Sequence, residues 1–167
     1  RFERDVAKFL TETFNKNFMR VPNSGAFTGG KNQHRVQAMS GAQVKIHRGD
    51  IIAPDEFNFI VECKNHRAFS TGFAGILLGN NKVLDGWLSE VYADAEQGKI
   101  PHALAFKITG SNANIFFALP KEQFGQILDT KMSYAIYYHK ASGKDYIIVP
   151  SSVFKARYEA IAQVIGI

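Results

Sequence analysis

Cysteine is nearly absent from this chain, which has one among 167 residues. The single Cys63 excludes an internal disulfide framework and fits a reducing compartment. No segment approaches the roughly 20 consecutive apolar residues that cross a bilayer, and no secretory-signal pattern is visible. Zinc-ligand spacings, a phosphate-binding glycine fingerprint and internal repeats are also missing. These absences argue against a disulfide-rich scaffold, a helical membrane protein, a zinc finger and a solenoid.

The composition is that of one folded domain with a basic surface. The chain is 46% hydrophobic, which is enough to bury a core at this length. Its net charge is +5 and its isoelectric point is near 9.3. A polyanion such as nucleic acid suits this charge, although an anionic membrane surface would suit it as well.

The most informative residues lie on two short predicted strands. Asp50 begins the first strand, and a turn at residues 54–56 reverses the chain. Glu62 and Lys64 end the second strand. Because side chains alternate faces along a strand, Glu62 and Lys64 point the same way and Cys63 points into the core. The turn can therefore bring Asp50 near Glu62.

Two carboxylates and an ammonium group in this arrangement suit metal-assisted cleavage of a phosphodiester. Mg²⁺ and Mn²⁺ prefer hard oxygen ligands, which Asp50 and Glu62 would supply. A metal there could polarise a phosphate and lower the pKa of a bound water. Lys64 could orient that water or offset charge in the transition state. The alternative is an ordinary Glu–Lys surface pair at the end of a hairpin.

Glu3 is a further candidate for the same site. Apolar residues recur at helical spacing over residues 2–14, and Glu3 lies at the edge of that apolar stripe. A carboxylate pointing toward the protein body needs a partner, and a metal site is one candidate. The alternative is that Glu3 is a first-turn acid stabilised by the helix dipole.

A possible phosphate contact lies in the segment that begins at Arg20. Residues 20–26 predict a strand that breaks into a tight loop at Ser24 and Gly25. A small hydroxyl group beside a glycine suits close approach to a phosphate oxygen. Ser-Gly is also common in loops of no special function.

Local signals predict the rest of the scaffold. Asn80 or Asn81 can cap a helix that runs through Trp87, whereas the glycines of residues 70–78 leave that segment ambiguous. Residues 134–138 and 146–149 predict a hairpin, and Ser151 or Ser152 can cap one last helix. Four tyrosines of the hairpin could stack on nucleobases, but cross-strand packing is the favoured interpretation; they are Tyr134, Tyr137, Tyr138 and Tyr146.

The candidate residues occur in a characteristic order: Glu3, Ser24, Gly25, Gly49, Asp50, Glu62, Cys63 and Lys64. This order resembles the PD-(D/E)XK nuclease superfamily, and within it the cellular and phage-type Holliday-junction resolvases. The resemblance covers roughly residues 2–120. It departs from the family pattern at Gly49, where proline is usual, in the long segment 27–48, and in the tail after about residue 130.

The resemblance implies an α/β fold with a restriction-endonuclease-like core. Its mixed central sheet would be flanked by helices and extended by a C-terminal hairpin and helix. We expect a single nuclease domain over residues 1–167, with its core at about 2–120 and the extension at about 130–167.

The resemblance also assigns roles to the site residues. Asp50 and Glu62 would be metal ligands, with the Cys63 main-chain carbonyl as a further ligand and Glu3 in the same metal site. Lys64 would be the catalytic lysine, and Ser24 would touch the DNA backbone near the cut. The implied cofactor is Mg²⁺, for which Mn²⁺ could substitute.

A basic segment adjoins this predicted site. No Asp or Glu occurs between Thr13 and Gly49, although six lysines and arginines do. Beside a phosphodiester site, such a segment favours contact with DNA over an ordinary solvated loop. The residues expected to contact DNA are Arg20, Ser24, Gly25, Lys31, Arg35, Lys45 and Arg48.

The expected function is metal-dependent cleavage of DNA, specifically paired symmetric nicks in a four-way junction. Two symmetric nicks require a two-fold homodimer. We expect action in the cytoplasm, on nucleoid-associated DNA or in a phage host, without a nucleotide cofactor or membrane partner. Three alternatives stay open: a restriction, repair or flap-cutting nuclease on the same core, a DNA-binding module that does not cut, and a basic α/β domain whose resemblance is accidental.

Overall fold

The computed structural model of the chain describes residues 1–22, 48–65, 72–108 and 114–166. These residues form a mixed seven-stranded sheet flanked by helices, which confirms the predicted α/β fold. The strands are β1 Met19–Arg20, β2 Ile51–Ile52, β3 Ile60–Lys64, β4 His102–Phe106, β5 Phe116–Pro120, β6 Ala135–His139 and β7 Lys144–Pro150. The helices are α1 Phe2–Phe14, α2 Gly72–Leu77, α3 Lys82–Asp94, α4 Lys121–Phe124, α5 Ser151–Ala156 and α6 Tyr158–Ile165. A short 3-10 helix at Gly125–Ile127 follows α4.

The sheet order is β1-β2-β3-β4-β5-β7-β6. Neighbouring strands are antiparallel except β3 and β4, which run parallel and are joined through α3. A parallel connection needs a crossover, and a helix packed on one face of the sheet supplies it. This crossover places α3 over β3 and β4, so residues of α3 come close to the end of β3.

Two hydrophobic cores lie on opposite faces of the sheet. One face carries α1 and the C-terminal helices, and there Val61 and Cys63 of β3 pack with Leu10 and Phe14. The other face carries α2 and α3, which pack against Ile60 and the alternate residues of β4. The alternation along β3 is therefore the one that its sequence predicts, with Cys63 buried among apolar side chains.

The end of the first predicted helix and the start of the helix through Trp87 have clear physical causes. The helix predicted over residues 2–14 is α1, which ends where Asn15 adopts a left-handed conformation at φ 51°. In α3, the Asn81 side chain accepts a hydrogen bond of 2.9 Å from the Leu84 amide. The predicted asparagine cap is thus confirmed, because Asn81 satisfies a backbone donor that the helix leaves open.

The C-terminal hairpin forms as predicted and extends the sheet. Strand β7 pairs with β5, where Val149 lies opposite Phe117. The chain then returns to the segment that leads into β3: the Asn58 amide donates a hydrogen bond of 2.7 Å to the Ile165 carbonyl. The tail therefore packs against the same core as the strands that precede it.

Three local predictions need correction. The last helix is broken in two at Arg157. The Arg157 amide donates a hydrogen bond of 3.0 Å to the Val153 carbonyl, and its Nε atom donates one of 2.8 Å to the Ile127 carbonyl. No serine caps it; Pro150 occupies the N-cap. Tyr134 and Tyr138 are 45% and 52% exposed, so cross-strand burial describes only the other two tyrosines. Residues 70–78 include the short helix α2. None of the described helices is long and apolar enough to span a membrane.

Gly49 explains one departure from the expected nuclease pattern. Its φ is +69°, and a Cβ atom added there would lie 2.7 Å from the Val61 carbonyl oxygen. Proline fixes φ near −65° and therefore fits neither this conformation nor this close approach. The glycine lets the chain turn against β3, so that the Asp50 amide donates to the Val61 carbonyl at 2.8 Å.

We predict that Gly49→Ala lowers the free energy of unfolding by about 2 kcal/mol or more, because it combines a positive φ with a backbone clash. Urea unfolding measures this loss. Gly86→Ala is the matched control, since its added Cβ meets nothing within 4 Å in an exposed turn of α3. That variant should gain roughly 0.5–1 kcal/mol from helix propensity. Equal midpoints for the two variants would contradict the close approach at Gly49.

Candidate active site

Asp50 is held rigidly at the start of β2. Its amide donates to Val61 and its carbonyl accepts from the Val21 amide, both at 2.8 Å. Its carboxylate Oδ2 accepts a third bond, also of 2.8 Å, from the Cys63 amide. Asp50 is only 7% exposed. Because backbone groups on two neighbouring segments fix it, this carboxylate has a defined position beside β3.

Glu62 and Lys64 lie on the same side of β3, as their spacing predicts. The Lys64 Nζ atom is 3.1 Å from Glu62 Oε1, and the Glu62 side chain is 14% exposed. Lys64 also forms an ion pair with Glu90, which belongs to α3. The lysine therefore lies between a carboxylate of the sheet and a carboxylate of the helix that covers it.

Burial and like charge make Glu62 an unusual carboxyl group. Burial, followed by the negative charge of Asp50, raises the pKa of Glu62 to about 8, although the adjacent Lys64 opposes the shift. Burial by itself lowers the pKa of Lys64, but its contacts with Glu90 and Glu62 outweigh this effect and raise that pKa. Glu62 thus has a raised affinity for a proton, and Lys64 remains an ammonium group.

The donor set fits a divalent cation. Burial and the charge of Asp50 disfavour the ionised form of Glu62, and a positive ion bound beside the two carboxylates would favour it. Within the ranges that the structure describes, no three His, Cys, Asp or Glu side chains are grouped to hold a metal. The predicted set of Asp50, Glu62, Glu3 and the Cys63 main-chain carbonyl contains three side chains, and the structure does not group these three as a metal cluster. Asp50, Glu62 and the carbonyl alone would need only two. The assignment of these ligands remains a prediction.

Cys63 does not behave as a nucleophile. Burial, together with the negative charges of Asp50 and Glu62, raises the pKa of its thiol well above the usual value. A thiol must lose its proton to attack, and this environment strongly disfavours the thiolate. The interpretation of Cys63 as a buried strand residue is therefore confirmed by its burial.

Glu3 reaches the edge of this site but already has a partner. Its Oε2 atom is 3.3 Å from Arg20 Nη1, and both side chains are partly buried. Glu3 also lies close enough to Cys63 to help raise the pKa of the thiol. It occupies the first turn of α1, as the helix-dipole alternative requires. Its role at the metal remains a prediction, and Arg20, a predicted DNA contact, is paired with it.

A second ion pair ties the site to the end of α3. The Arg48 Nη1 atom is 2.5 Å from Glu96 Oε1. Glu96, Gln97 and Gly98 form a turn in which all three residues have positive φ, at 53°, 56° and 81°. Arg48, another predicted DNA contact, thus joins the residues before Asp50 to this turn. Five other predicted contacts lie outside the described residues: Ser24, Gly25, Lys31, Arg35 and Lys45.

The sequence did not identify two acidic residues of α3 that face this site. Glu90 contacts Lys64, and Asp94 follows one turn later. Burial, followed by the charge of Glu90, raises the pKa of Asp94, and Arg48 opposes the shift. Residues four apart share a helix face, and a crossover helix must cover the strands that it joins. That combination is the signal that could have placed Glu90 near Lys64.

Comparison with known proteins gives one match. The model of the family described as "Phage putative PDDEXK endonuclease" matches residues 1–155. The matched range includes Asp50, Glu62 and Lys64, and it agrees with a restriction-endonuclease-like core. No curated protein and no solved structure matches the chain.

We predict that the thermal stability of the metal-free protein falls as pH rises from about 6.5 to 8, above the range in which His102, whose pKa burial lowers to about 4, makes stability rise with pH. The folded pKa of Glu62 is raised from 4.5 to about 8, so the folded chain binds the proton more tightly than the unfolded chain. Stability from this group is complete below 4.5 and is lost as pH rises to the folded pKa. Glu62→Gln should reduce this loss of stability with rising pH. Melting temperatures recorded in EDTA measure the effect.

The matched control for this experiment is Glu12→Gln. Glu12 lies on α1 with 57% of its side chain exposed, and its 3.8 Å pair with Lys8 should contribute little. Adding Mg²⁺ at pH 8 should raise the melting temperature of the wild type and of this control, but not that of Glu62→Gln. The same pH profile and the same response to Mg²⁺ in all three proteins would contradict the assignment of Glu62 to a metal site.

Proposed function

The chain belongs to the phage PDDEXK endonuclease family, and from this premise we propose that it hydrolyses DNA phosphodiester bonds at Asp50, Glu62 and Lys64. It is a nuclease of the PD-(D/E)XK type. The observation that carries the assignment of the site is the partly buried pair of Glu62 and Lys64 on β3, next to the buried Asp50 carboxylate fixed by the same strand. Carboxylates brought together away from water, with a strongly shifted pKa, are typical of functional sites.

Nucleases of this superfamily generally use divalent ions such as Mg²⁺. Bound by Asp50 and Glu62, such an ion would supply Lewis acidity toward the scissile phosphate and lower the pKa of a bound water. Whether this chain depends on Mg²⁺ is part of the proposal.

The chain's own groups position the reaction. The Cys63 amide holds the Asp50 carboxylate, so little reorganisation is needed when substrate arrives. Lys64 keeps its proton because Glu62 and Glu90 flank it. An ammonium group at this position can donate hydrogen bonds to phosphate oxygens, whose negative charge grows in the transition state. An incoming phosphate would compete with Glu90 for Lys64, since Glu90 is the more exposed of its two partners.

We predict that Glu62→Gln lowers the rate of DNA cleavage on the order of 10²-fold or more, because an amide is a poor ligand for Mg²⁺. Binding of DNA in EDTA should be nearly unchanged, since it depends on lysine and arginine contacts with phosphates. End-labelled DNA measures cleavage, and fluorescence anisotropy of labelled DNA measures binding.

Glu12→Gln again serves as the control and should cut at the wild-type rate, because its exposed side chain lies on α1. Normal cleavage by Glu62→Gln would show that the site is elsewhere. Binding without cleavage by the wild type, in both Mg²⁺ and Mn²⁺, would favour a DNA-binding module that keeps the fold.

The finer part of the proposal is that the substrate is a four-way DNA junction. The support is the order of Glu3, Ser24, Asp50, Glu62 and Lys64, which resembles that of Holliday-junction resolvases. The net charge of +5 also suits a branched polyanion. Restriction, repair and flap-cutting nucleases use the same kind of site, since such a site reads phosphates rather than bases.

We predict paired symmetric nicks in a four-way junction, made by two copies of the chain. Each copy supplies one site, and two-fold symmetry places the two sites on opposite strands. Cleavage of a panel of junction, flap, linear duplex and single strand tests the paired nicks. Sedimentation of the junction complex in EDTA tests whether two copies bind. Cutting of duplex or flaps instead, or a strict monomer on the junction, would refute junction resolution. Either result would still be compatible with nuclease activity.

A further inference from the structure

A cleft of about 560 Å³ opens beside Lys64. Its described lining includes two aromatic residues, Phe2 and Trp87, together with the Asn65 side chain that follows Lys64. Arg1, Glu3, Cys63 and Lys64 form the rest of the described lining. The cleft therefore combines aromatic surface, a cation and an amide in a space that is large enough for one nucleotide.

Trp87 belongs to the helix face that meets the active site. It lies three residues before Glu90, so the two side chains are neighbours on α3, and Glu90 contacts Lys64. On its other side the indole packs near the Phe106 ring, with ring centroids 6.4 Å apart. Phe106 is fully buried and lies opposite Lys64 in the pairing of β3 with β4. A buried ring thus supports the half-buried Trp87 where it faces the cleft.

The chemistry of this lining fits a nucleobase. An indole that lines the cleft offers a flat aromatic surface, and base–aromatic stacking accepts every base because each has a π face. A lysine beside the ring can pair with the adjacent phosphate, and an asparagine amide can bond a base edge.

We infer that the cleft receives one unstacked nucleobase of the substrate, beside the scissile phosphate, and that Trp87 is the platform on which it stacks. This inference rests on the proposed function. Bases of a continuous duplex are stacked on their neighbours and cannot enter the cleft without being extruded. Bases at a branch point or in a single strand enter at lower cost. Trp87 therefore favours branched or unpaired DNA over continuous duplex.

The chain offers a direct test, because Trp87 is its only tryptophan. The fluorescence of the wild type, excited at wavelengths that tyrosine does not absorb, reports on this position alone. In EDTA, single-stranded oligothymidine and a four-way junction should quench it by about half at saturation, whereas a continuous duplex should leave it nearly unchanged. Anisotropy of the labelled DNA, recorded on the same samples, shows when each DNA is bound.

Variants separate stacking from packing. Trp87→Leu should weaken binding of the single strand about tenfold, whereas Trp87→Phe should weaken it much less because a flat ring remains. Binding of the duplex should change little in either variant. Tyr138→Leu is the control, since Tyr138 is an exposed aromatic residue of β6 outside the cleft lining and should affect neither DNA. Melting temperatures show whether each variant is folded. If Trp87→Leu is not folded, quenching of wild-type fluorescence decides whether a base stacks on Trp87.

The outcomes distinguish this inference from the proposed function. Saturable binding of the single strand with no change in tryptophan fluorescence would overturn the stacking site, as would equal quenching by duplex. Cleavage in Mg²⁺ without such quenching would keep the nuclease and remove the platform. Quenching without cleavage in Mg²⁺ or Mn²⁺ would keep the platform and refute the proposed reaction.

Discussion

The structure around β3 depends on keeping two carboxylates close together in a place with little water. Asp50 and Glu62 repel each other there, and this repulsion adds to the cost of burying them. The Cys63 amide offsets part of that cost for Asp50, and Lys64 offsets part of it for Glu62. The rest of this cost appears as the raised pKa of Glu62. In our proposal, a cation held by Asp50 and Glu62 would offset the same repulsion.

The backbone near this site has the features that such a close arrangement needs. Gly49 adopts a positive φ so that the chain can meet β3, and the ion pair of Arg48 with Glu96 ties that turn to the end of α3. Glu96 itself has a positive φ, a conformation that costs free energy in a residue with a side chain. Two unusual turns are therefore joined by one salt bridge beside the carboxylates. The apolar cores on both faces of the sheet offset the free-energy cost of these turns.

Much of this arrangement could be predicted because its signals are local. The period-two pattern around Cys63 places Glu62 and Lys64 on one face, and Asn81 has the chemistry of a helix cap. Glu90 could not be predicted in the same way, because its partner lies 26 positions earlier in the chain and only the crossover of α3 brings them together. The break at Arg157 is likewise tertiary, since the Ile127 carbonyl that it bonds is remote in sequence. Local pattern determines faces, whereas contacts across elements depend on packing.

Lys64 differs from the other site residues because it connects the sheet to the helix above it. If Glu62 is lost, Lys64 still has Glu90 as a partner, so the lysine remains compensated. If Lys64 is lost, Glu62 and Glu90 both lose a positive neighbour, and Glu62 is buried. The two losses are therefore not equivalent for the fold. Trp87 lies one turn from Glu90, so the reaction that we propose at Lys64 would take place beside the cleft in which we place the base. In that proposal, the lysine would lie between the chemistry on β3 and substrate recognition on α3.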